Sequence, residues 1–146
     1  MATKFNEMSL SDMRKGRPTA KESKLAEVGA ACQAAIYAGV DVRGEHYALT
    51  LNDQTNIGNL LLQAQAGEPV LYHADGKLCR VYQPEEMLEI GAAAVRHKTY
   101  HTTLCNHLNV WIRRTEDADE LAGITYTSPL PEDLAANMAA LLGGNG

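Results

Sequence analysis

The sequence has few cysteines, few aromatic residues and no long apolar run, and each shortage excludes a class of protein. The three cysteines (Cys32, Cys79 and Cys105) include no CxxC pair, which argues against a disulfide framework. Each lies in an apolar pattern, so we expect buried, reduced thiols. A membrane-spanning helix needs about 18 consecutive apolar residues, and no such run occurs. Residues 1–7 also lack the apolar centre of a signal peptide, which indicates a protein made and kept in a cytoplasm.

The sequence is equally short of motifs that carry known chemistry. It contains no GxSxG nucleophile motif, no phosphate-binding loop and no GxGxxG fingerprint. Its polar stretch at residues 53–56 is better explained as capping of a helix start, because Asp, Asn and Thr there satisfy free amides. We therefore expect no enzyme and no cofactor.

What the sequence does have is the size and apolar content of one globular domain with an uneven charge. It is 146 residues long, 45% of them hydrophobic, and its net charge is −5. Residues 1–18 sum to +2, whereas residues 116–146 contain six carboxylates and no Lys or Arg, for −6. The basic patch is too small to predict nucleic-acid binding. Opposite charges at the two ends are compatible with plain solvation or with contacts between neighbouring copies.

Three segments are expected: a docking arm over residues 1–18, an α+β domain over 19–126, and a short helix and tail over 127–146. The arm is polar and aperiodic, and ion pairs at a surface contribute only ~0–1 kcal/mol each. To stay ordered against a neighbouring protein, the arm must therefore also bury apolar side chains. The predicted interaction residues are Met8, Leu10, Met13, Arg14, Lys15 and Arg17.

One long helix over about 84–121 is the expected centre of the domain. Pro84 suits the first helical position, acidic residues follow it, and Arg113 and Arg114 lie near the far end, as the helix dipole favours. A 3-4 spaced apolar seam runs along it: Met87, Ile90, Ala94, His97, His101, Leu104, Leu108 and Trp111. We expect the side chains of Leu108 and Trp111 to be buried, in the core or between subunits, and the length of the helix favours a homo-oligomer.

The remaining elements predict a mostly helical α+β fold. A capping box at Thr19 begins a helix over 19–38 that Gly39 ends, and a second helix is expected over 53–66. An Asp-Gly turn at 75–76 predicts a β-hairpin over 70–82. With a strand at 46–50, this hairpin is expected to form one small antiparallel sheet over the helices.

The histidines of the seam are the candidates for metal binding. His97, His101 and Cys105 are spaced at i, i+4 and i+8 on one helical face, and His73 or Cys79 from the hairpin could complete a ligand set. No Glu stands in the HExxH position, because Lys98 follows His97. The alternative, which we favour, is that the imidazoles bond to hairpin backbone or to another copy around an oligomer axis. No metal is therefore predicted.

Several stretches of the chain resemble a set of small domains of unknown function from phage and prophage tail modules. Some of these domains stand alone, and others form the C-terminal part of tail-fibre proteins. The resemblance covers roughly residues 20–125, and its most specific element is Asp53-Gln54-Thr55-Asn56. The other matching stretches lie within residues 24–39, 47–49, 72–79 and 90–112.

The resemblance implies a structural role in a virion, near the tail tip, baseplate or fibres, and no catalysis. The implied partners are other phage tail, baseplate or fibre proteins, with no membrane and no nucleic acid, and the implied location is the virion, assembled in the host cytoplasm. The alternative is a non-virion assembly factor that holds a tail fibre during folding and then leaves.

Overall fold

A computed structural model of the protein describes residues 16–143, and this part of the chain folds as an α+β domain, as the sequence predicts. Its five helices and four strands are α1 (Ala20–Tyr37), β1 (Val40–Val42), β2 (Glu45–Tyr47), α2 (Leu51–Gln65), β3 (Val70–Tyr72), β4 (Arg80–Tyr82), α3 (Pro84–Arg114), α4 (Ala118–Gly123) and α5 (Glu132–Gly143). Among residues 16–143, no helix combines the length and the apolar character needed to cross a bilayer.

The first two helices begin where local capping chemistry places them. Thr19 and Glu22 form the predicted capping box at the start of α1. A second box forms at α2, where the Thr50 hydroxyl accepts from the Asp53 amide and the Asp53 carboxylate accepts from the Thr50 amide at 3.0 Å. Capping by Thr50 starts α2 two residues before the predicted residue 53.

Gly39 makes the joint between α1 and β1. Its φ of +87° lies in the left-handed region, which a glycine adopts without steric cost. A Cβ at this position would overlap the Tyr47 carbonyl and lie 2.7 Å from the Cα of Ala48. The close approach lets the chain turn directly from the helix into the strand pair, and it confirms the predicted C-terminal end of α1.

The strands form two separate two-stranded sheets, so the prediction of one small sheet is wrong. β1 pairs with β2 in antiparallel register, Val40 opposite Tyr47, and β3 pairs with β4, Val70 opposite Tyr82. A tight turn at residues 43–44, both with positive φ, folds β2 back onto β1. β2 therefore pairs with its neighbour in sequence rather than with the hairpin.

The long helix ends earlier than predicted. α3 ends at Arg114 rather than at about residue 121, because Thr115 is extended (ψ 136°) and Asp117 caps a new helix, α4. The Asp117 carboxylate accepts from the amide of Asp119 at 2.9 Å. At about 1.5 Å per residue, the 31 residues of α3 still span about 46 Å.

α3 supports two hydrophobic cores, one at each end. The strand-side core contains Met87 and Ile90 of α3 with the tyrosines of β2, β3 and β4. The helical core contains Leu108 and Ile112 of α3 with Val28, Leu121 and Ile124. The predicted burial of Leu108 is confirmed, since it is fully buried.

Trp111 is half-buried and packs against the helical core, so its predicted burial is confirmed in part. Its indole N–H donates to the Glu120 carboxylate at 2.7 Å, and reaching that exposed acceptor holds the ring at the edge of the core. α5 closes this end of the molecule, where Arg114 donates two hydrogen bonds to Asp133 at 2.6 and 2.7 Å. The guanidinium lowers the pKa of Asp133 to about 2.

Candidate functional site

A polar cluster interrupts the seam of α3 between the two cores. His97 donates from Nε2 to the Ala35 carbonyl of α1 at 2.8 Å. One turn later, His101 Nδ1 lies 2.7 Å from the Tyr126 hydroxyl, and the two imidazole rings are 4.6 Å apart. Burial, and then the neighbouring His97, lower the pKa of His101. The histidines thus join α3 to α1 and to the segment after α4.

Two cysteines border this cluster. The Cys32 thiol of α1 donates to the His101 carbonyl at 3.5 Å, and Cys105 follows His101 by one helical turn. Burial raises the pKa of Cys105 to about 11. Since the thiolate is the reactive form of cysteine, a thiol with a raised pKa is a poor nucleophile at neutral pH. Cys32 is buried as expected, Cys105 is half-buried, and the expected burial of Cys79 is wrong, because Cys79 is exposed on the hairpin.

The structure does not bring the metal candidates together. Among residues 16–143, no three His, Cys, Asp or Glu side chains are grouped so that they could hold a metal ion. His73 and Cys79, the possible further ligands, lie beside α2 near Asn59. The preferred alternative, a bond to hairpin backbone, is wrong for His97, because its carbonyl partner belongs to α1. The small residues of α1 let that helix approach α3 closely, and its last turn therefore supplies the acceptor.

A fourth histidine connects three segments near the strand-side core. His46 of β2 places Nδ1 2.7 Å from the Asp41 carboxylate of β1 and Nε2 2.6 Å from the Ala38 carbonyl at the end of α1. The Asp75 carboxylate, in the β3–β4 turn, lies 3.8 Å from Nε2. Both near partners only accept hydrogen bonds, so the arrangement requires the doubly protonated imidazolium. The hydrogen bond to Asp41, followed by the one to Ala38, raises the pKa of His46.

This contact predicts a small pH dependence of stability. Because the pKa of His46 is raised in the folded state, its contribution is fully present below the unfolded-state pKa, about 6.5, and is lost as pH rises through the folded-state pKa. His46 is 45% exposed, which limits the effect to the ~0–1 kcal/mol of screened ion pairs. Thermal unfolding should show His46→Gln less stable than wild type at pH 5.5 and close to it at pH 9. An equal deficit at both values would contradict this, and Asp41→Asn should reproduce the pattern.

A groove of about 560 Å³ runs between α3 and α5. Its walls are mostly apolar, and its polar groups come from Tyr100 and His101 of α3 and from the segment that follows α4. The described lining residues include no carboxylate: Tyr100, His101, Leu104, Tyr126, Thr127, Ser128, Leu130, Ala135, Met138, Ala139 and Leu142. The groove therefore offers apolar contact and a nearby imidazole rather than a pair of groups for acid–base chemistry.

Most of the predicted interaction residues lie outside the described residues. These are Met8, Leu10, Met13, Arg14 and Lys15; Arg17 is described and is exposed. Several carboxylates within residues 116–133, part of the acidic end whose charge is opposite to that of residues 1–18, already have partners within the chain. Glu120 accepts from Trp111 and Thr115, and Asp133 is paired with Arg114. The hydrogen bond from Trp111, followed by the one from Thr115, lowers the pKa of Glu120.

The β3–β4 hairpin exposes an apolar surface that the sequence reasoning did not single out. Leu71 and Val81 face each other across the strands and are 67% and 53% exposed, and Leu78 in the connecting segment is 91% exposed. We call these three residues the hairpin outer face. The opposite face, which contains Val70, Tyr72 and Tyr82, lies in the strand-side core. One sequence feature could have identified this surface: all three residues of β3 are apolar, a pattern typical of a strand that is covered on both faces.

Together, these features define a small α+β domain built on one long helix, with apolar surface left open on its hairpin. The family model of DUF4376, a domain of unknown function, matches residues 19–128, and the chain belongs to that family. The expected resemblance to domains of unknown function is confirmed to that extent. Comparison with curated proteins and with solved structures gave no match.

Proposed function

We propose that this protein is a structural component of a phage tail or tail-like particle and acts by binding neighbouring proteins. The resemblance of residues 20–125 to domains from tail modules motivates the assignment to a particle. The observation that carries the mode of action is the hairpin outer face. The proposed location is near the tail tip, baseplate or fibres, after assembly in the host cytoplasm.

The hairpin outer face supports a role in assembly because its exposure is energetically unfavourable. Leu71 and Val81 form a cross-strand pair whose apolar side chains remain exposed to water. Contiguous exposed apolar groups on a soluble domain commonly mark a protein–protein contact. Burial of apolar surface contributes about 25 cal/mol per Å², so covering the leucines and the valine would favour association.

Charge insertion into the hairpin outer face should remove the protein from particles. Val81→Glu places a carboxylate within that face, where docking would desolvate it, and we expect the amount of this variant in purified particles to fall at least tenfold. Mass spectrometry of the particles measures the amount. Val110→Glu is the matched control, since Val110 is 41% exposed on α3, and it should be incorporated as wild type is.

The same measurement distinguishes the alternative function. A chain that is absent from mature particles but required for their assembly would be a non-virion assembly factor, and the particle proposal would be wrong. Normal incorporation of Val81→Glu would show that the hairpin outer face is not the contact. If the protein is neither present in particles nor needed to make them, both functions are excluded.

A further inference from the structure

The exposed side of α2 is nearly free of charge. α2 contains one charged residue, Asp53, and its carboxylate is engaged in the capping box with Thr50. Residues 54–67 contain no Asp, Glu, Lys or Arg, although charged residues make up 21% of the whole chain. The exposed residues of α2 are apolar or polar but uncharged, among them Thr55 and Asn59, and depletion of charge is typical of the centre of an interface. On this side Leu51 and Leu62 are 66% and 68% exposed.

α3 adds a stripe of uncharged residues to this surface. Leu88, Ala92, Val95 and Thr99 recur at helical spacing, and all four side chains are exposed. Val95 is 60% exposed although it is apolar and β-branched. We call the exposed sides of α2 and α3 that carry these residues, with Leu51, Gly58 and Leu62, the α2–α3 face.

The two helices run antiparallel with a recess between them. Gln54 accepts from Lys98 at 2.6 Å, and Leu61, two turns further along α2, packs against Gly91, so the residue numbers run in opposite directions. The recess has a volume of about 170 Å³, and Gly58 and Val95 lie on its wall. Lys98 is the single charged group among the described residues that line it. Leu62 follows Gly58 by four residues, so an exposed leucine lies one helical turn from the recess.

We propose that the α2–α3 face binds a second copy of this chain about a two-fold axis. A two-fold contact places the same patch on both partners, so the patch must be complementary to itself in shape and in charge. The recess at Gly58 and the exposed Leu62 supply a hole and a protruding group on one face. In the dimer, Leu62 of each copy enters the recess of the other, as knobs enter holes between packed helices.

The low charge of this face favours a second copy over a strongly charged partner. The chain carries a net charge of −5, so two copies repel one another wherever their carboxylates meet. Repulsion is low at the α2–α3 face, because α2 carries no charged residue after Asp53 and Lys98 is the single charged residue among the described residues that line the recess. A strongly acidic or basic partner would find no complementary row of charges there. This dimer is independent of the proposed role in a particle.

Gly58→Lys tests the dimer directly. An added Cβ at Gly58 meets nothing within 4 Å, so the domain itself should tolerate the substitution, while the ammonium group would enter the recess of the contact. Analytical ultracentrifugation of the full chain over micromolar concentrations should show a dimer for wild type. For Gly58→Lys, the Kd of dimerisation should rise at least tenfold.

The matched control is Gln63→Lys, which adds the same charge to the same helix. Gln63 is exposed and points about 140° away from Gly58 around the α2 axis at ~100° per residue. This variant should dimerise as wild type does. A second variant, Leu62→Glu, should also give a monomer whose circular dichroism spectrum matches that of wild type.

Two results would overturn the proposal. One is a wild-type chain that stays monomeric throughout the concentration range. The proposal is overturned in the same way if the chain is monomeric alone and a different protein binds it at this face. The other is a dimer that Gly58→Lys and Leu62→Glu leave intact. Neither result depends on incorporation into particles, so the dimer and the particle role can fail separately.

Discussion

Replacing Gly39 with alanine is expected to lower the free energy of unfolding by ~3 kcal/mol or more. Two costs combine at this joint. A left-handed conformation costs a residue with a Cβ about 1–2 kcal/mol. The new Cβ would also overlap the Tyr47 carbonyl, a backbone atom that cannot turn aside as a side chain would. Urea denaturation followed by circular dichroism measures the loss.

Gly44→Ala separates these two costs. Gly44 has a similar φ of +79°, but an added Cβ there meets nothing within 4 Å. Its loss should therefore be only the conformational part, about 1–2 kcal/mol. If the two alanine variants lose the same stability, the close approach of α1 to β2 at Gly39 contributes nothing, and our account of the joint is wrong.

Leu108→Ala is expected to cost about 2–5 kcal/mol, because it removes a fully buried side chain from the helical core and leaves a cavity. Leu108 packs in one cluster with Val28 of α1 and Ile124 beyond α4, so the loss affects three segments that are distant in sequence. Thermal or urea unfolding of the purified variant gives the magnitude.

Val110→Ala is the matched substitution for this prediction. Val110 lies two residues further along α3 and is 41% exposed, so its truncation removes little buried surface and should cost less than about 1 kcal/mol. Trp111→Ala should fall between the two, since the indole is half-buried and also donates to Glu120. A loss at Val110 as large as that at Leu108 would mean that this part of α3 faces a partner.

The sequence predicted those features that depend on a few consecutive residues. The capping box at Thr19, the left-handed Gly39 and the Asp-Gly turn at Gly76, which has a φ of +71°, all follow from the conformations that these residue types prefer. The predicted apolar seam of α3 was also correct for the residues that are buried in the two cores, Met87, Ile90 and Leu108. Periodicity identifies which side of a helix faces inward, and it did so here.

Features that depend on distant segments were not predictable in the same way. The extension of α3 to residue 121 was wrong because the end of a helix depends on competition with the next cap, Asp117. The contact of His46 joins α1, β1 and the hairpin turn, and no spacing in the sequence brings those three segments together. The exposure of Val81 could not be read from its apolar character, which equally suits a buried strand.

The two cores of α3 become complete at different times while the chain is being synthesised. Every buried residue of the strand-side core lies between Val42 and Ile90, in one continuous stretch. The helical core pairs Val28 with residues as late as Ile124, which a ribosome adds about 35 residues after Ile90. At ~5–20 residues per second, the ribosome takes about 2–7 s to add these residues, and during this time the apolar side of α1 lacks its partners in the helical core. A nascent chain of this protein therefore exposes Val28 after all residues of its strand-side core have been synthesised, and during that interval this apolar side chain is open to aggregation or to a chaperone.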